Sequence, residues 1–415
     1  MHILFLTHYF EPDITSNAVI ATGLAKQLVE LGHQVTVVTS VPHYDQQRIP
    51  PAFRRVIVRR TVEMDARLKV WRTWVLIPRN KRSTVQRFIS YFSYNFMSLV
   101  LLPVVGRYDI VLTMSPPLTN GIVAYLACIL RRVPFVYNVQ DLFPDLPIEL
   151  GLVKNQSLIK FLYRLEAFVY RKAASLTVLS NEMQDKILSK DVPASKVAVI
   201  PNFVDVDFII PSPKDNPWSR EHGLSDKFVM MYTGNIGSVQ SVDVLVETAD
   251  LLRDNAQIHF AIVGDGVAKE QIIARAQELS LSNISFLPLQ PRENLPNLFA
   301  SADMLLVSLR KGVAGHSVPS KTYTIMASGR PILASVEANN AVRSIVEQAD
   351  CGFHVPPEDP TALAAVIRQV ASDSELGQVK GKNGRRYVEK HYSASRIAHQ
   401  YHELLVQLTQ DKSQP

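Results

Sequence analysis

The chain has 415 residues, 47% of them hydrophobic and 20% charged, with 17 glycines, 25 prolines and two cysteines. That composition excludes a disordered, collagenous or disulfide-scaffolded protein, and the length suits two or three domains that each bury a core. The net charge of +6 is uneven: residues 48–107 hold 13 Lys and Arg against Glu63 and Asp65, a local +11, so the remainder carries −5. A basic block in an otherwise slightly acidic chain points to a partner of opposite sign, such as anionic lipid, nucleic acid or a polyphosphate. Cys128 and Cys351 lie far apart, which suits a reducing compartment, and residues 1–6 read as a first strand, not a secretion signal.

In chain order, 3–7 form a short apolar strand. Residues 17–31 carry helical spacing (Val19, Ile20, Leu24, Leu28, Leu31) and stop at Gly32, where a C-terminal cap belongs. Residues 35–39 are β-branched and continuous, as in a parallel strand covered on both faces. The stretch 88–103 is uncharged and rich in Phe and Tyr. It is short for a spanning helix and reads either as a helix lying in a bilayer surface or as a buried helix beside a solvated basic face. Strands follow at 110–113, 135–139, 176–179 and 197–200, with helices over 118–130, over 157–172 and from 182. The segment 205–217, with three prolines, breaks the rhythm and reads as a linker. Strands at 228–232, 258–263, 284–287, 304–307 and 331–334 then alternate with helices, and a last amphipathic run covers 393–408. This alternation predicts an α/β protein of two doubly wound parallel sheets in series. Open parallel sheets take ligands at the carboxyl ends of their strands, so two such sheets facing each other would form a ligand cleft lined by those loops.

Six loops have the residue types for chemistry. In Thr233-Gly234-Asn235-Ile236-Gly237, between a strand and a helix, the glycines would let the backbone approach a phosphate; a plain tight turn is the alternative. Gly264-Asp265-Gly266 repeats that pattern. Residues 310–321 hold Arg310, Lys311, His316 and Lys321 and feed a helix near Ser320, a suitable cradle for a diphosphate. Lys near a helix start is disfavoured by the dipole, so its presence suggests a bound anion; otherwise the loop is simply basic and solvated. In the first half, His8 and Glu11 follow strand one, and Asp141 and Asp145 follow the strand at 135–139. These acids are candidate general bases or hydroxyl binders, or else ordinary caps. Asn202 lies on a further loop of this kind. No Ser-His-Asp order, H-E-x-x-H or metal-ligand spacing occurs.

Together these motifs resemble the retaining nucleotide-sugar glycosyltransferases of family 4, which have the GT-B fold. They are most similar to the bacterial branch that builds capsule, O-antigen and exopolysaccharide, including colanic-acid-type fucosyl and amino-fucosyl transferases. The anchors are His8-Tyr9-Phe10-Glu11-Pro12, the run 32–39, Asp141-Leu142-Phe143-Pro144-Asp145, Pro201-Asn202, Gly264-Asp265-Gly266, and Pro319-Ser320-Lys321 leading to Gly329-Arg330-Pro331. The resemblance spans nearly the whole chain and is specific for the family, not for the sugar.

It implies two Rossmann-like domains facing across a cleft. Residues 1–205 would bind acceptor, with a membrane-associating region about 48–107; 206–220 would be a linker, 221–390 the donor domain, and 391–415 a C-terminal helix and tail. The implied partners are a UDP- or GDP-sugar, a polyprenyl-diphosphate-linked glycan and an anionic membrane surface, with no nucleic acid, no metal and no other cofactor. The implied location is the cytoplasmic face of the plasma membrane. Donor binding would fall to Gly234, Asn235, Gly237, Gly264, Arg310, Ser320, Lys321, Thr324 and Asn202, and catalysis to Asp141, His316 and Lys321. His8, Glu11 and Asn17 would meet the acceptor.

Two departures stand out. His316 and Thr324 occupy the places of a glutamate pair usual in the family, and Asn235 and Gln240 stand where Arg and Lys often neutralise the diphosphate. That charge would then come from Arg310, Lys311 and Lys321. A nucleotide-sugar 2-epimerase and a non-catalytic scaffold in a polysaccharide assembly complex are the competing readings.

Overall fold

The computed structural model describes residues 1–43, 49–78, 84–237, 239–313, 315–316 and 318–410. The chain divides into two units, Met1–Asn202 with Ala394–Pro415, and Phe203–Ser393.

The first unit opens with β1 (His2–Leu6), α1 (Ser16–Glu30) and β2 (Gln34–Ser40). A hairpin of β3 (Val58–Glu63) and β4 (Leu68–Thr73) follows, then α2 (Thr84–Leu101), β5 (Ile110–Met114), α3 (Asn120–Arg131) and β6 (Phe135–Val139). The helices α4 (Asp145–Glu149) and α5 (Gln156–Lys172), β7 (Ser175–Val178), α6 (Asn181–Leu188) and β8 (Val197–Val199) complete the alternation. The strands make one sheet in the order β3-β4-β2-β1-β5-β6-β7-β8, with only the β3–β4 pair antiparallel. Every residue of β5, β6 and β7 is buried, as strands covered by helices on both faces require. Thr15, Asn155 and Ser180 cap α1, α5 and α6 by accepting from backbone amides.

In the basic block Arg72 is buried, whereas Arg54, Arg55, Arg59, Arg60, Arg67, Arg87 and Arg107 are exposed. Residue 48 and residues 79–83 lie outside the described residues, and much of the rest is the β3–β4 hairpin and α2. Strand β3 is an exposed edge whose Arg59 and Arg60 disfavour pairing with another chain; Arg60 also sits over the Trp71 ring at 5.6 Å. Among the described residues no helix is long and apolar enough to cross a membrane.

The second unit runs α7 (Pro217–Glu221), β9 (Phe228–Asn235), α8 (Val244–Leu251), β10 (Ile258–Asp265), α9 (Lys269–Glu278), β11 (Ile284–Leu287) and α10 (Leu295–Ala300). It continues through β12 (Met304–Ser308), α11 (Lys321–Ala327), β13 (Ile332–Ser335), α12 (Ala341–Gln348), β14 (Gly352–Val355), α13 (Pro360–Ser372) and α14 (Ser374–His391). Its six parallel strands are ordered β11-β10-β9-β12-β13-β14.

Two segments behave differently from the sequence expectation. Residues 206–220 pack into the second unit: buried Asn216 accepts from the Trp218 and Ser219 amides, and its own amide donates to Ser301 Oγ at 3.0 Å. The last helix, α15 (Ala394–Gln410), belongs to the first unit, where it buries Ile397, Ala398, Tyr401 and Leu405; residues 411–415 lie outside the described residues. Among the parallel strands of each sheet the order reverses once, between β1 and β5 and between β9 and β12. The crevices beyond those carboxyl ends are where such sheets bind ligands.

Candidate active site

In the second unit the site grows from the end of β9. Strand alternation puts Tyr232 and Gly234 on one face. Gly234 pairs with Gly264 of β10, and a Cβ on Gly264 would come within 1.9 Å of the Gly234 carbonyl oxygen. Glycine at 264 therefore lets the two strands stay together to their ends. Lys321, the first residue of α11, lays its ammonium over the Tyr232 ring, Nζ 3.7 Å from the centroid. That nitrogen is buried and has no hydrogen-bond partner among the described residues. Gly234, at φ +124, leaves it room, since a Cβ there would stand 3.4 Å away. Burial lowers the Lys321 pKa to about 7 by penalising the charged form. The Tyr232 hydroxyl donates to the Asn235 carbonyl at 2.6 Å and so sets the turn that follows.

The surrounding loops are tied to one another. The Arg310 amide donates to the Val239 carbonyl, and its guanidinium bridges Asp243 at 2.9 Å and Glu358 at 2.8 Å. The Gly312 amide donates to Glu337 at 3.0 Å, and Lys269 Nζ to the Gly264 carbonyl at 2.9 Å.

In the first unit, His8 follows β1 and is buried, ringed edge-on by Tyr9, His43, Tyr91 and Tyr94 at 4.4–5.3 Å. Burial, with His43 nearby, holds the imidazole well below its usual pKa, and neither ring nitrogen has a hydrogen-bond partner among the described residues. Beyond β6, Gln140 and Asn202 exchange two hydrogen bonds, at 3.0 and 2.8 Å, and Gln140 also donates to Asn138. Asp141 comes next and is half-buried; together with Arg87 it borders an otherwise almost wholly apolar groove beside α2. Asp145 accepts from the Tyr163 hydroxyl at 2.8 Å and pairs with Lys190, which also holds buried Glu166.

Comparison with known proteins shows the family. Residues 18–202 match the family described as glycosyl transferase 4-like domain, and 215–387 match glycosyl transferases group 1. The chain belongs to the family 4 glycosyltransferases. It is 28% identical over 378 residues to the putative colanic acid biosynthesis glycosyl transferase WcaI of Escherichia coli, covering 89% of this chain and 92% of that one. It is 27% identical to the probable glycosyltransferase WbjE of Pseudomonas aeruginosa, over 76% and 78% of the two chains. Among solved structures, HepE from Anabaena in complex with UDP superposes with a TM-score of 0.71 at 16% identity, covering 98% of this chain and all of that one. The fold is GT-B, as the family resemblance implied.

Within this glycosyltransferase the expected residues fall into three groups. Lys321, Gly234, Asn235, Gly237 and Gly264 gather at the ends of β9, β10 and α11, with Ser320 and half-buried Thr324 alongside in sequence and His316 buried in the preceding loop. Ala314 and Ser317 of that loop lie outside the described residues. Arg310, expected beside the diphosphate, is instead neutralised by two carboxylates and tethers loops. Asn202, expected at the donor, sits in the first unit with both amide atoms engaged by Gln140. Of the acceptor candidates, His8 is buried, Asn17 is half-buried in the first turn of α1, and Glu11 is exposed and paired with Lys26 at 2.9 Å. The sequence reading missed Tyr232, although its place two residues before Gly234 on a strand was the available signal. It also missed the ring around His8, to which His43 after β2 and Tyr91 and Tyr94 of α2 are brought from distant positions.

Proposed function

We propose that this glycosyltransferase moves a sugar, with retention at the anomeric carbon, from a UDP- or GDP-sugar to a polyprenyl-diphosphate-linked oligosaccharide in bacterial surface-polysaccharide synthesis. The pathway is supported by the relative named for colanic acid biosynthesis, and a uridine donor by the UDP bound in HepE. The observation that carries the donor reading is Lys321: a buried ammonium with no acceptor among the described residues is matched to an anion at the reversal point of a parallel sheet.

As the bond from the anomeric carbon to the diphosphate oxygen lengthens, the electron pair moves onto the diphosphate and the sugar becomes oxocarbenium-like. Lys321 and the Gly237 amide would meet that charge, the Ile236 amide being committed to the Asp265 carbonyl at 2.8 Å; such preorganised donors are typically worth ~2.7–4 kcal/mol each. The acceptor hydroxyl attacks from the face the diphosphate leaves, so its proton has the departing phosphate oxygen within reach. Asp141 and His8 would orient that hydroxyl. Arg310 keeps the Asp243 and Glu358 loops in place, and His316 and Thr324 would stand on the sugar side. The reaction needs no metal or other cofactor in this reading, and nucleic acid has no part in it.

The enzyme would work at the cytoplasmic face of the plasma membrane. On α2, Ile89, Phe92, Phe96 and Val100 form an exposed apolar stripe at helical spacing, with Phe92 and Phe96 63% and 66% exposed. A panel of nucleotide sugars read by thermal shift tests the donor, since a ligand at 100 times its Kd stabilises by ~2.7 kcal/mol. Transfer to a lipid-linked glycan tests the acceptor. Full donor affinity and transfer in Lys321→Ala would overturn the role of Lys321, and an epimerised sugar formed from donor alone would overturn transfer.

A further inference from the structure

The proposed acceptor is an amphiphile, and the first unit has an apolar groove that the transfer chemistry leaves unused. One wall is α2, through Arg87, Phe88, Tyr91 and Phe92. The opposite wall is α4 and the chain just after it, including Leu146 and Leu150, and the floor is formed by the loops after β5 and β6. Among the described residues, Arg87 and Asp141 are its only charged lining residues.

Two features give the groove a direction. It reaches the loops at the carboxyl ends of β5 and β6, Asp141 among them, where this sheet takes its ligands. It also opens sideways: Phe92 and Leu152 line it and are themselves 63% and 59% exposed, so it is continuous with the apolar stripe of α2. A molecule that fits both ends has a polar head and a hydrocarbon chain. Arg87, on the first turn of α2 and the one cation lining the groove among the described residues, complements a phosphate between the two parts.

We infer that this groove seats the first isoprene units of the acceptor's polyprenyl chain, with Arg87 at the lipid phosphate and the glycan towards Asp141. The inference rests on the lipid-linked acceptor proposed above and adds to it a chain-binding subsite distinct from the open membrane-facing stripe. Apolar burial is proportional to area, so affinity rises with each isoprene unit the groove accepts.

The test is calorimetric titration of the full chain, below micelle concentrations, with inorganic phosphate and with dimethylallyl, geranyl and farnesyl monophosphate. Affinity tightens at least tenfold from dimethylallyl to farnesyl. The groove-filling variant Leu150→Trp loses at least tenfold for farnesyl phosphate while UDP binding is unchanged, which also shows that the variant is folded. Phe88→Ala supplies a second groove variant should Leu150→Trp not fold. Phe96→Ser, on the stripe but outside the groove, leaves farnesyl phosphate affinity intact. Affinity independent of chain length overturns the inference, as does loss in Phe96→Ser with Leu150→Trp unaffected. So does a wild-type dimer, seen by sedimentation, that Leu150→Trp dissociates, because a second copy would then be the occupant. Transfer to lipid-linked glycans without chain-length dependence sinks this subsite alone. Chain binding with no response to any nucleotide sugar sinks the transfer reading instead.

Discussion

Lys321 is held in a state that a bound dianion would change. Its pKa is lowered to about 7 by burial against Tyr232, and a diphosphate beside it would favour the charged form and raise that value. Donor binding is then linked to proton uptake: above pH 7 the free enzyme must acquire a proton before the bound state forms. The expected outcome is UDP affinity that is flat below pH 7 and weakens towards tenfold per pH unit above it. Calorimetry in buffers of different ionisation heat would show the proton uptake directly. In Lys321→Met the affinity falls and the slope disappears, whereas the apo protein gains stability because a desolvated charge has been removed. Gly234→Ala should weaken UDP binding as well, since the new methyl stands 3.4 Å from Nζ on backbone at φ +124. Much of this site was legible in the sequence, because glycines after strands and a lysine at a helix start each break a local rule. Arg310 was misjudged for a physical reason: a loop arginine reads as available charge until Asp243 and Glu358, 67 and 48 residues away, are brought to it.

Among the elements, α15 shows what sequence periodicity leaves open. Its amphipathic pattern was plain, but a helix following the second unit had no local mark of which unit it would cover. Its partners in the first unit decide that. Asn138 Nδ2 donates to the Tyr401 hydroxyl at 2.8 Å, and His402 Nδ1 lies 2.8 Å from His33 Nε2. Asn138 Nδ2 also donates to Thr177 Oγ1 at 2.9 Å, so Tyr401→Phe would leave one of its two buried N–H groups unsatisfied and destabilise the first unit by about 1–3 kcal/mol in chemical denaturation. The histidine contact carries a pH dependence. Burial, then the N-terminal amine and His402, lower His33 to about 4, so the folded state keeps it neutral while the unfolded chain protonates near 6.5. Stability present above pH 6.5 is therefore lost as pH falls from 6.5 towards 4. His2, His8 and His43, all lowered mainly by burial, act in the same direction. The denaturation midpoint should drop between pH 7 and pH 5, and His33→Gln should flatten that drop. The β3–β4 hairpin was missed at this scale because its exposed strand carries Arg59, Arg60 and Glu63 in place of an apolar alternation.

At the scale of the whole molecule, the membrane attachment proposed above would rest on two weak signals, charge and apolar surface. Residues 48–107 carry +11 on a chain whose remainder carries −5, and the same stretch contains the exposed stripe of α2. Basic residues at an anionic bilayer surface contribute about 1 kcal/mol each, and the attraction decays within a Debye length of about 8 Å at physiological salt. Aromatic side chains moved out of water contribute up to about 1.5–3 kcal/mol each. Stable surface attachment generally takes both kinds of signal, so neither is expected to suffice here. In vesicle flotation the chain should bind membranes rich in anionic lipid at 0.1 M salt, bind neutral vesicles weakly, and be released from anionic ones at 0.5 M. Phe92→Ser with Phe96→Ser should lower anionic-vesicle affinity by tenfold or more while the salt dependence persists, since the charges remain. If instead the double variant bound as tightly as the parent, attraction would be purely ionic and the α2 stripe would have another use. Binding that survived high salt unchanged would remove the basic block from the account.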